Sequence, residues 1–307
     1  MGVLERPAFR QSRATVPGVS PSSSPHFAER QRSREIVAYY DAKTAAILER
    51  YGPGPRVHYH TGLFEEPVDP GTSILEVRRM LVAAQERMLS YAAEVWGASH
   101  TLNGEVLDVG CGLGGGALFW AQEYGARVTA VTCVASHIAW VRRFAAQAGV
   151  ASLIRPFLCD AVTMPGECHF DAAVAVDSSG YLPRRAWMSR TAKLLRPGGS
   201  LFIIDCLLNC REYEAPFNRH WHTRIGTLDE YTNAALEAGL TMNSLEDVSA
   251  RTRPFWTLTI ALLKHSIGHR GSEANRERMI ESLRMHRLVR DGLANQGLRY
   301  VLMSLRK

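Results

Sequence analysis

Apolar and polar positions along the chain form two kinds of block, one typical of buried strands and one typical of amphipathic helices. Short apolar runs, typical of strands that are covered on both faces, occur at residues 105–109, 127–131, 153–158, 170–176 and 200–204. Segments with apolar residues at three- and four-residue spacing lie between most of them. This alternation predicts an α/β fold with a doubly wound, largely parallel sheet.

The first hundred residues do not follow this alternation. Residues 1–29 are rich in Ser, Pro and Arg without periodicity, which predicts a disordered tail. A helical pattern runs over 31–51 and ends at a Gly-Pro-Gly-Pro sequence, and a second amphipathic helix is predicted over 73–95. The chain is therefore divided into a tail (1–29), an N-terminal helical arm (30–98) and a core (99–307).

Two segments of the core interrupt the strand and helix units. Residues 206–226 follow the fifth strand, hold several aromatic residues and histidines, and are predicted to be loop-like. Residues 249–297 separate the last two predicted strands and contain an apolar helix opened by Pro254-Phe255-Trp256 and a charged helix near 276–289. The second segment is too long for a hairpin connection, and we interpret both segments as lid insertions over the substrate.

Composition narrows the class of protein. None of the 307 residues belongs to an apolar run long enough to span a membrane, and no secretory signal is evident, so we expect a cytoplasmic protein without a membrane partner. The net charge is +6, but 32 of the 36 basic residues are scattered arginines, which argues against a nucleic-acid partner. The six cysteines include no CxxC pair, so we expect reduced thiols and no metal site.

The first predicted strand of the core ends in a glycine turn. Residues 105–116 read Glu-Val-Leu-Asp-Val-Gly-Cys-Gly-Leu-Gly-Gly-Gly, and helical composition follows. Glycines allow a sharp turn and the close approach of a ligand, so a cofactor site is predicted at the carboxyl edge of the sheet. The spacing is not that of a pyrophosphate-binding GxGxxG turn, which favours a cofactor with an amine, a carboxylate and a sulfonium. A glycine turn of another α/β enzyme is the alternative.

This stretch resembles motif I of class I S-adenosylmethionine (SAM) methyltransferases, and Leu-Arg-Pro-Gly-Gly at 195–199 is a second mark of that family. The resemblance implies a Rossmann-like seven-stranded class I SAM methyltransferase fold, with an N-terminal helical arm and a lid insertion before the last strand. It also implies SAM as the cofactor. The cofactor-binding residues that it predicts are Asp108, Gly110, Cys111, Gly112, Gly114, Thr132, His137, Asp160, Ala161, Asp177 and Tyr40.

Some of these positions allow a second interpretation. The acidic residue that often holds the ribose after the second strand is missing. Thr132 and Ser136 partly keep the Thr-Leu-Ser-x-x-Gln pattern of carbon-methylating relatives, with His137 in place of the Gln, but Ser136 can also cap a helix. Asp160 resembles the residue that binds the adenine amino group and can equally cap a turn.

The arm and the end of the fourth strand resemble methyltransferases that act on carbon in terpenes and lipids. Tyr39, Tyr40 and Asp41, followed by the His/Tyr/Gly-rich segment 58–64, match an arm that in this branch closes over the cofactor. Asp177 lies where terpenoid carbon-methyltransferases carry an acidic residue. The alternative is an amphipathic helix that only packs on the core. Packing of the arm on a second subunit would produce a homo-oligomer.

Methylation of a double bond leaves a carbocation, which needs aromatic faces worth about 0.5–2 kcal/mol each, a carboxylate, and a base for the final proton. The predicted catalytic residues are Asp177, Tyr181, Tyr39, His220 and His222, with the two histidines as proton acceptors.

We therefore predict a SAM-dependent C-methyltransferase of the terpenoid and prenyl branch, acting on an isoprenoid chain in specialised metabolism. A prenylated indole is the expected small-molecule partner and geranyl diphosphate the alternative, although the sequence offers no convincing diphosphate and Mg²⁺ cluster. Three rival interpretations are an O- or N-methyltransferase, a nucleic-acid methyltransferase and a SAM-binding scaffold. After the fourth strand the chain does not have the Pro-Pro-Tyr or Pro-Cys sequence that is usual in nucleic-acid methyltransferases. The lid and the aromatic residues argue against a SAM-binding scaffold.

Overall fold

A computed structural model describes residues 25–69, 71, 73–269 and 273–307 of the chain. Seven strands form one sheet: β1 (Glu105–Val109), β2 (Arg127–Thr132), β3 (Ile154–Leu158), β4 (Phe170–Val176), β5 (Leu195–Leu208), β6 (Thr241–Asp247) and β7 (Leu298–Arg306). Their order across the sheet is β3-β2-β1-β4-β5-β7-β6. The predicted seven-stranded α/β sheet is confirmed.

Helices precede, connect and cover the strands. They are α1 (Pro25–Tyr51), α2 (Ile74–Val95), α3 (Gly115–Tyr124), α4 (Ala135–Gln147), α5 (Arg184–Leu194), α6 (Glu214–Trp221), α7 (Leu228–Glu237), α8 (Ser249–His269) and α9 (Glu273–Ala294). In the part of the chain that the structure describes, none of these helices is long and apolar enough to cross a membrane.

The direction of the strands explains where a site can form. The five strands β3, β2, β1, β4 and β5 run parallel, and β7 is antiparallel to both β5 and β6. The order of connection reverses at β1, since β2 lies on one side of it and β4 on the other. Ligands of open α/β sheets bind at such a switch point, outside the carboxyl ends of the strands.

Successive residues of β1 pack on opposite faces of the sheet. Val106 joins a core formed with α2, α3 and α8, whereas Leu107 joins a second core around Trp187 of α5. At the end of α2, the ring of Trp96 stacks on Phe202 of β5, with 4.6 Å between the ring centroids. The arm is therefore part of the sheet's packing and not a separate appendage.

Two boundaries differ from the sequence prediction. Helix α1 begins at Pro25, so residues 25–29 of the predicted tail are helical, and residues 1–24 lie outside the described residues. The loop-like assignment of 206–226 is wrong: β5 continues to Leu208, and 214–221 form α6. The proline of α6, Pro216, lies in its first turn, where a missing N–H costs no intrahelical hydrogen bond.

The apolar face of α2 generates a prediction about stability. We expect Leu81→Ala, which truncates a fully buried side chain, to lower the free energy of unfolding by about 2–5 kcal/mol because it leaves a cavity. Urea unfolding measures this change. The matched control is Leu236→Ala on α7, where the side chain is 75% exposed and the expected change is within about 0.5 kcal/mol. Equal effects of the two variants would contradict this packing.

Candidate active site

Two adjoining cavities open at the carboxyl edge of the parallel strands. The first has an empty volume of about 1210 Å³ and is lined by the glycine turn, the ends of β2, β3 and β4, and the arm; we call it the glycine cleft. The second, of about 750 Å³, lies between the arm, β5, α6, α8 and α9; we call it the aromatic cavity. Five residues line both: Tyr40, Tyr59, His60, Asp177 and Tyr181. This shared wall is where two ligands can meet.

Three glycines of the turn are required for three different reasons. Gly110 has φ +74° and a Cβ there would lie 2.7 Å from the Cβ of Ser178, whose Oγ donates a 2.6 Å hydrogen bond to the Val109 carbonyl. Gly112 has φ +53° and faces open space in the cleft. Gly114 does not line the cleft; a Cβ there would lie 3.1 Å from Val141 in α4. Cys111 lies in the turn and lines the cleft with its neighbours.

Asp108 supplies a buried carboxyl group to the glycine cleft. Its side chain is 4% exposed, and Oδ2 has no hydrogen-bond partner among the described residues. Burial raises the pKa of this carboxyl to about 7, against the lowering effect of a backbone hydrogen bond at Ala117. A buried acceptor without a partner costs free energy unless a ligand supplies a donor. The position therefore fits a cationic amine.

His137 supplies a second buried acceptor. Its Nε2 lies 3.1 Å from Oγ1 of Thr44, which already donates its own hydrogen to the Tyr40 carbonyl. Nε2 must therefore carry the ring hydrogen, so Nδ1 holds the lone pair, and Nδ1 has no partner in the described chain. Burial lowers the pKa of His137 to about 4, which keeps the ring neutral. This geometry fits a ligand hydroxyl.

Helix α1 crosses the start of α4. Ser136 does not cap that helix, because its Oγ donates a 2.5 Å hydrogen bond to Asp41 of the arm. Thr132 turns its Oγ1 to the N–H of Val134 and still lines the cleft. Asp160 caps a turn, since its Oδ1 accepts from the N–H of Val162 at 3.0 Å. The residue also lines the cleft beside Ala161, and its contact with adenine stays a prediction.

The loop after α1 packs directly on the glycine turn, since a Cβ at Gly115 would lie 2.4 Å from the Val57 carbonyl oxygen. Within the loop, His60 Nδ1 lies 3.0 Å from the Thr61 carbonyl and donates to it, and His60 Nε2 lies 3.2 Å from Nδ1 of His58, whose Nε2 lies 2.7 Å from Glu86. Burial, assisted by His58, lowers the pKa of His60 to about 3. Both nitrogens of His60 are thus occupied, and the ring positions the loop.

Asp177 joins the arm, the core and the last strand. It lies directly after β4 with φ +46°. Its Oδ2 accepts from the N–H of Thr61 at 2.8 Å, and its Oδ1 accepts from the hydroxyl of Tyr300 at 2.7 Å. Burial, and then the nearby carboxyl of Asp205, raise the pKa of Asp177 to about 7.

The carboxyl of Asp205 is a second acid on the wall of the aromatic cavity. It accepts hydrogen bonds from the Ser179 hydroxyl and from the N–H groups of Gly180 and Cys206. Burial raises its pKa as well. Two acids in one cavity favour a ligand that carries or develops positive charge.

Several further aromatic rings line the aromatic cavity. Besides the tyrosines of the shared wall they are Tyr51, Phe217, Trp221, Phe255, Trp256 and Tyr300. With Tyr40, Tyr59 and Tyr181 of the shared wall, nine aromatic residues thus come from six different parts of the chain. Sequence patterns identify the residues but not their convergence.

The structure brings together only some of the predicted catalytic residues. Asp177 and Tyr181 lie in the shared wall, and the ring of Tyr40 contacts Tyr181 with 5.6 Å between centroids. Tyr39, His220 and His222 line neither cavity in the described part of the chain: Tyr39 packs on His222 at 4.8 Å, and His222 ends α6 in a left-handed conformation. The histidine of α9, His286, lies in the aromatic cavity instead, and no motif marks it in the sequence.

Comparison with known proteins identifies the class of enzyme. Residues 106–199 match the family model described as a methyltransferase domain. The chain is 26% identical over 241 residues to a geranyl diphosphate 2-C-methyltransferase from Streptomyces lasalocidi, covering 73% of this chain and 79% of the relative. It is 27% identical over 227 residues to the O-methyltransferase resE from Aspergillus sclerotiorum, covering 72% of this chain and 81% of the relative.

Solved structures agree on the fold. The crystal structure of geranyl diphosphate C-methyltransferase from Streptomyces coelicolor A3(2), with Mg²⁺, geranyl-S-thiolodiphosphate and S-adenosyl-L-homocysteine, superposes with a TM-score of 0.76 at 19% identity, covering 94% of this chain and 99% of that one. The chain is a SAM-dependent methyltransferase. It has the class I fold, and the prediction of SAM as its cofactor is confirmed.

The glycine cleft of this methyltransferase fits SAM in its own chemistry. The cleft offers a buried carboxyl without a partner at Asp108, a lone pair at His137 Nδ1, and open space at Gly112. SAM carries an ammonium, ribose hydroxyls and an adenine amino group. These groups can donate hydrogen bonds to the acceptors of the cleft that have no partner within the protein. When bound, SAM supplies a methyl group on a positively charged sulfur.

Asp108 generates a prediction that separates binding from folding. We expect Asp108→Asn to weaken binding of S-adenosylhomocysteine about 10- to 100-fold, because a charge-assisted hydrogen bond is lost. Isothermal titration calorimetry measures this affinity.

The same variant should change the pH dependence of stability without ligand. The folded-state pKa of Asp108, about 7, is raised, so the folded protein holds a proton that the unfolded chain releases near pH 4. Wild-type stability should therefore fall between pH 4 and 7, by an order of magnitude of ~4 kcal/mol from this group. This fall should be smaller in Asp108→Asn. Identical pH profiles of urea unfolding would contradict the burial of this charge.

Proposed function

We propose that the methyltransferase adds a methyl group to a carbon–carbon double bond of an isoprenoid chain held in the aromatic cavity. The observation that carries this proposal is the wall of aromatic rings and carboxyl groups next to the glycine cleft. In this account Asp108, His137 and Asp160 hold SAM, and the acceptor reaches the methyl group at the shared wall.

Carbon methylation makes a specific electrostatic demand. The double bond provides the electron pair itself, so no base is needed for the attack, but a tertiary cation develops on the acceptor. Aromatic faces such as Trp221, Trp256 and Tyr59 stabilise a cation by about 0.5–2 kcal/mol each. The carboxyl groups of Asp177 and Asp205 add charge stabilisation. In this mechanism, α6, α8 and α9 act as the lid.

Two classes of compound are candidates for the acceptor, an isoprenoid diphosphate and a prenylated indole. The geranyl diphosphate C-methyltransferases among the relatives favour an isoprenoid diphosphate. Arg50 lines the aromatic cavity, Lys43 lies in an adjoining cavity, and neither has a carboxylate partner in the described chain, which also suits an anionic group. A prenylated indole, the acceptor predicted from sequence, is supported by the flat aromatic rings against which an indole can stack.

Oxygen methylation is the rival, since resE is an O-methyltransferase. It requires a base that removes a proton from a hydroxyl group near the methyl donor. His60 at the shared wall uses both ring nitrogens within the protein, which favours carbon as the acceptor atom. A cytoplasmic location and a homo-oligomer formed through the arm stay predictions, and light scattering at several protein concentrations checks the latter.

The deciding experiment is a turnover screen with methyl-deuterated SAM against geranyl diphosphate, a prenylated indole, a sterol and a plain phenol, followed by mass spectrometry. We expect a labelled methyl group on an isoprenoid carbon. A label on the phenol, with the isoprenoids unchanged, would refute carbon methylation and leave the methyltransferase assignment intact.

Asp177 provides a second prediction. We expect Asp177→Asn to lower the rate of carbon methylation about 10²-fold through the loss of charge stabilisation, whereas an O-methylating enzyme would keep its activity. The matched control is Asp229→Asn, on the exposed first turn of α7, with an unchanged rate. Because the pKa of Asp177 is about 7, its ionised fraction falls below pH 7, so the wild-type rate should decline there. A flat wild-type profile between pH 6 and 8 would contradict a role for the ionised carboxyl.

A further inference from the structure

His286 is a histidine of the lid that lies inside the aromatic cavity. It is 8% exposed on α9, and its ring meets Trp256 edge to face at 5.2 Å and stacks parallel to Trp221 at 6.4 Å. The ring also lines a smaller cavity of about 420 Å³ between α1 and α9, together with Lys43 and Arg50. His286 thus belongs to the acceptor side of the site and not to the glycine cleft.

The hydrogen-bond geometry fixes which nitrogen of His286 carries its hydrogen. Nδ1 lies 3.1 Å from Oγ1 of Thr259. That hydroxyl donates its own hydrogen to the Trp256 carbonyl at 3.0 Å, so its oxygen accepts from His286. Nδ1 therefore carries the hydrogen. Nε2 holds the lone pair, and the hydrogen bond that the structure gives to this ring among the described residues is the one through Nδ1.

The charges around the ring keep it neutral. Arg50 and Lys43 face it from α1, and His220 faces it from α6. Burial first, and then these groups, hold the pKa of His286 well below its usual value. A proton taken up by Nε2 would therefore leave readily, which allows turnover.

The other polar groups of the cavity are less suited to accept a proton. His60 has both nitrogens occupied, Asp177 already accepts two hydrogen bonds, and Asp205 accepts three. In the residues that the structure describes, His286 Nε2 is the imidazole lone pair of this cavity that is not engaged.

We propose that His286 Nε2 accepts the proton that the methylated acceptor loses, an inference that rests on the proposed function. The double bond forms a new C–C bond with its π electrons while the C–S bond to the methyl group breaks with its electron pair on sulfur. A carbocation remains on the acceptor. A C–H bond next to it then breaks, its electron pair becomes the new C=C bond, and the proton joins Nε2. The product is a methylated alkene.

His286→Asn tests this step, because an asparagine amide can keep the hydrogen bond to Thr259 but places no acceptor at the Nε2 position. The readout is the product mixture from methyl-deuterated SAM, resolved by gas chromatography and mass spectrometry. We expect the wild-type alkene to form about 10²-fold more slowly, with a larger share of labelled alcohol, rearranged or cyclised products. His265→Asn on the exposed side of α8 is the matched control and should leave the mixture unchanged.

The outcomes separate the inference from the proposed function. Carbon methylation with an unchanged alkene, at an unchanged rate, in His286→Asn would overturn the role of His286 alone. Loss of the alkene in His220→Asn but not in His286→Asn would assign the proton to the sequence-predicted acceptor and overturn it too. A label found only on oxygen in the wild type would overturn both proposals. If His286→Asn fails to unfold cooperatively or to bind S-adenosylhomocysteine, His286→Gln, which fills the Nε2 position with a non-basic amide, takes its place with the same expected result.

Discussion

A partly buried carboxyl group at the end of β4 holds the site together. One oxygen of Asp177 accepts a hydrogen bond from the backbone of the arm at Thr61, and the other accepts one from Tyr300 of the last strand. The carboxyl is partly shielded from water and lies near the buried carboxyl of Asp205, and these two donors favour its ionised form. The arm and the last strand are therefore part of the electrostatics of the site as well as of its shape.

This arrangement divides the carboxyl edge into two chambers. In the glycine cleft, Asp108 Oδ2 and His137 Nδ1 have no hydrogen-bond partner among the described residues and fit the donor groups of SAM. In the aromatic cavity, rings from the arm, α6, α8 and β7 surround a space that also holds two acids, Arg50 and His286. The five residues of the shared wall, which include Tyr181 and Asp177, lie between the cavity that fits SAM and the cavity that we propose for the acceptor. The acceptor that we propose, a double bond that develops positive charge, fits a cavity lined by aromatic rings and carboxyl groups.

The sequence predicts the site residues that lie at the ends of strands. It does not predict which residues of distant helices come together in one cavity. The glycine turn, Asp108 and Asp177 follow from strand ends, whose period and position can be read along the chain. The sequence predicts His220 and His222 as proton acceptors, yet neither of them lines the aromatic cavity, whereas α9 brings His286 into it. Helix orientation across some fifty residues of lid depends on tertiary packing, which a single sequence does not encode in any short pattern.

The central claim is that the methyl group crosses the shared wall between the two cavities. A crystal structure of the enzyme with S-adenosylhomocysteine and the acceptor that turns over measures this directly. The account predicts the sulfur beside Tyr40 and Tyr181, with the acceptor double bond in the aromatic cavity roughly 4–5 Å away, since reacting atoms approach to about 3–3.5 Å. An acceptor bound outside the aromatic cavity, or one that presents a hydroxyl oxygen to the sulfur at the wall, would contradict it.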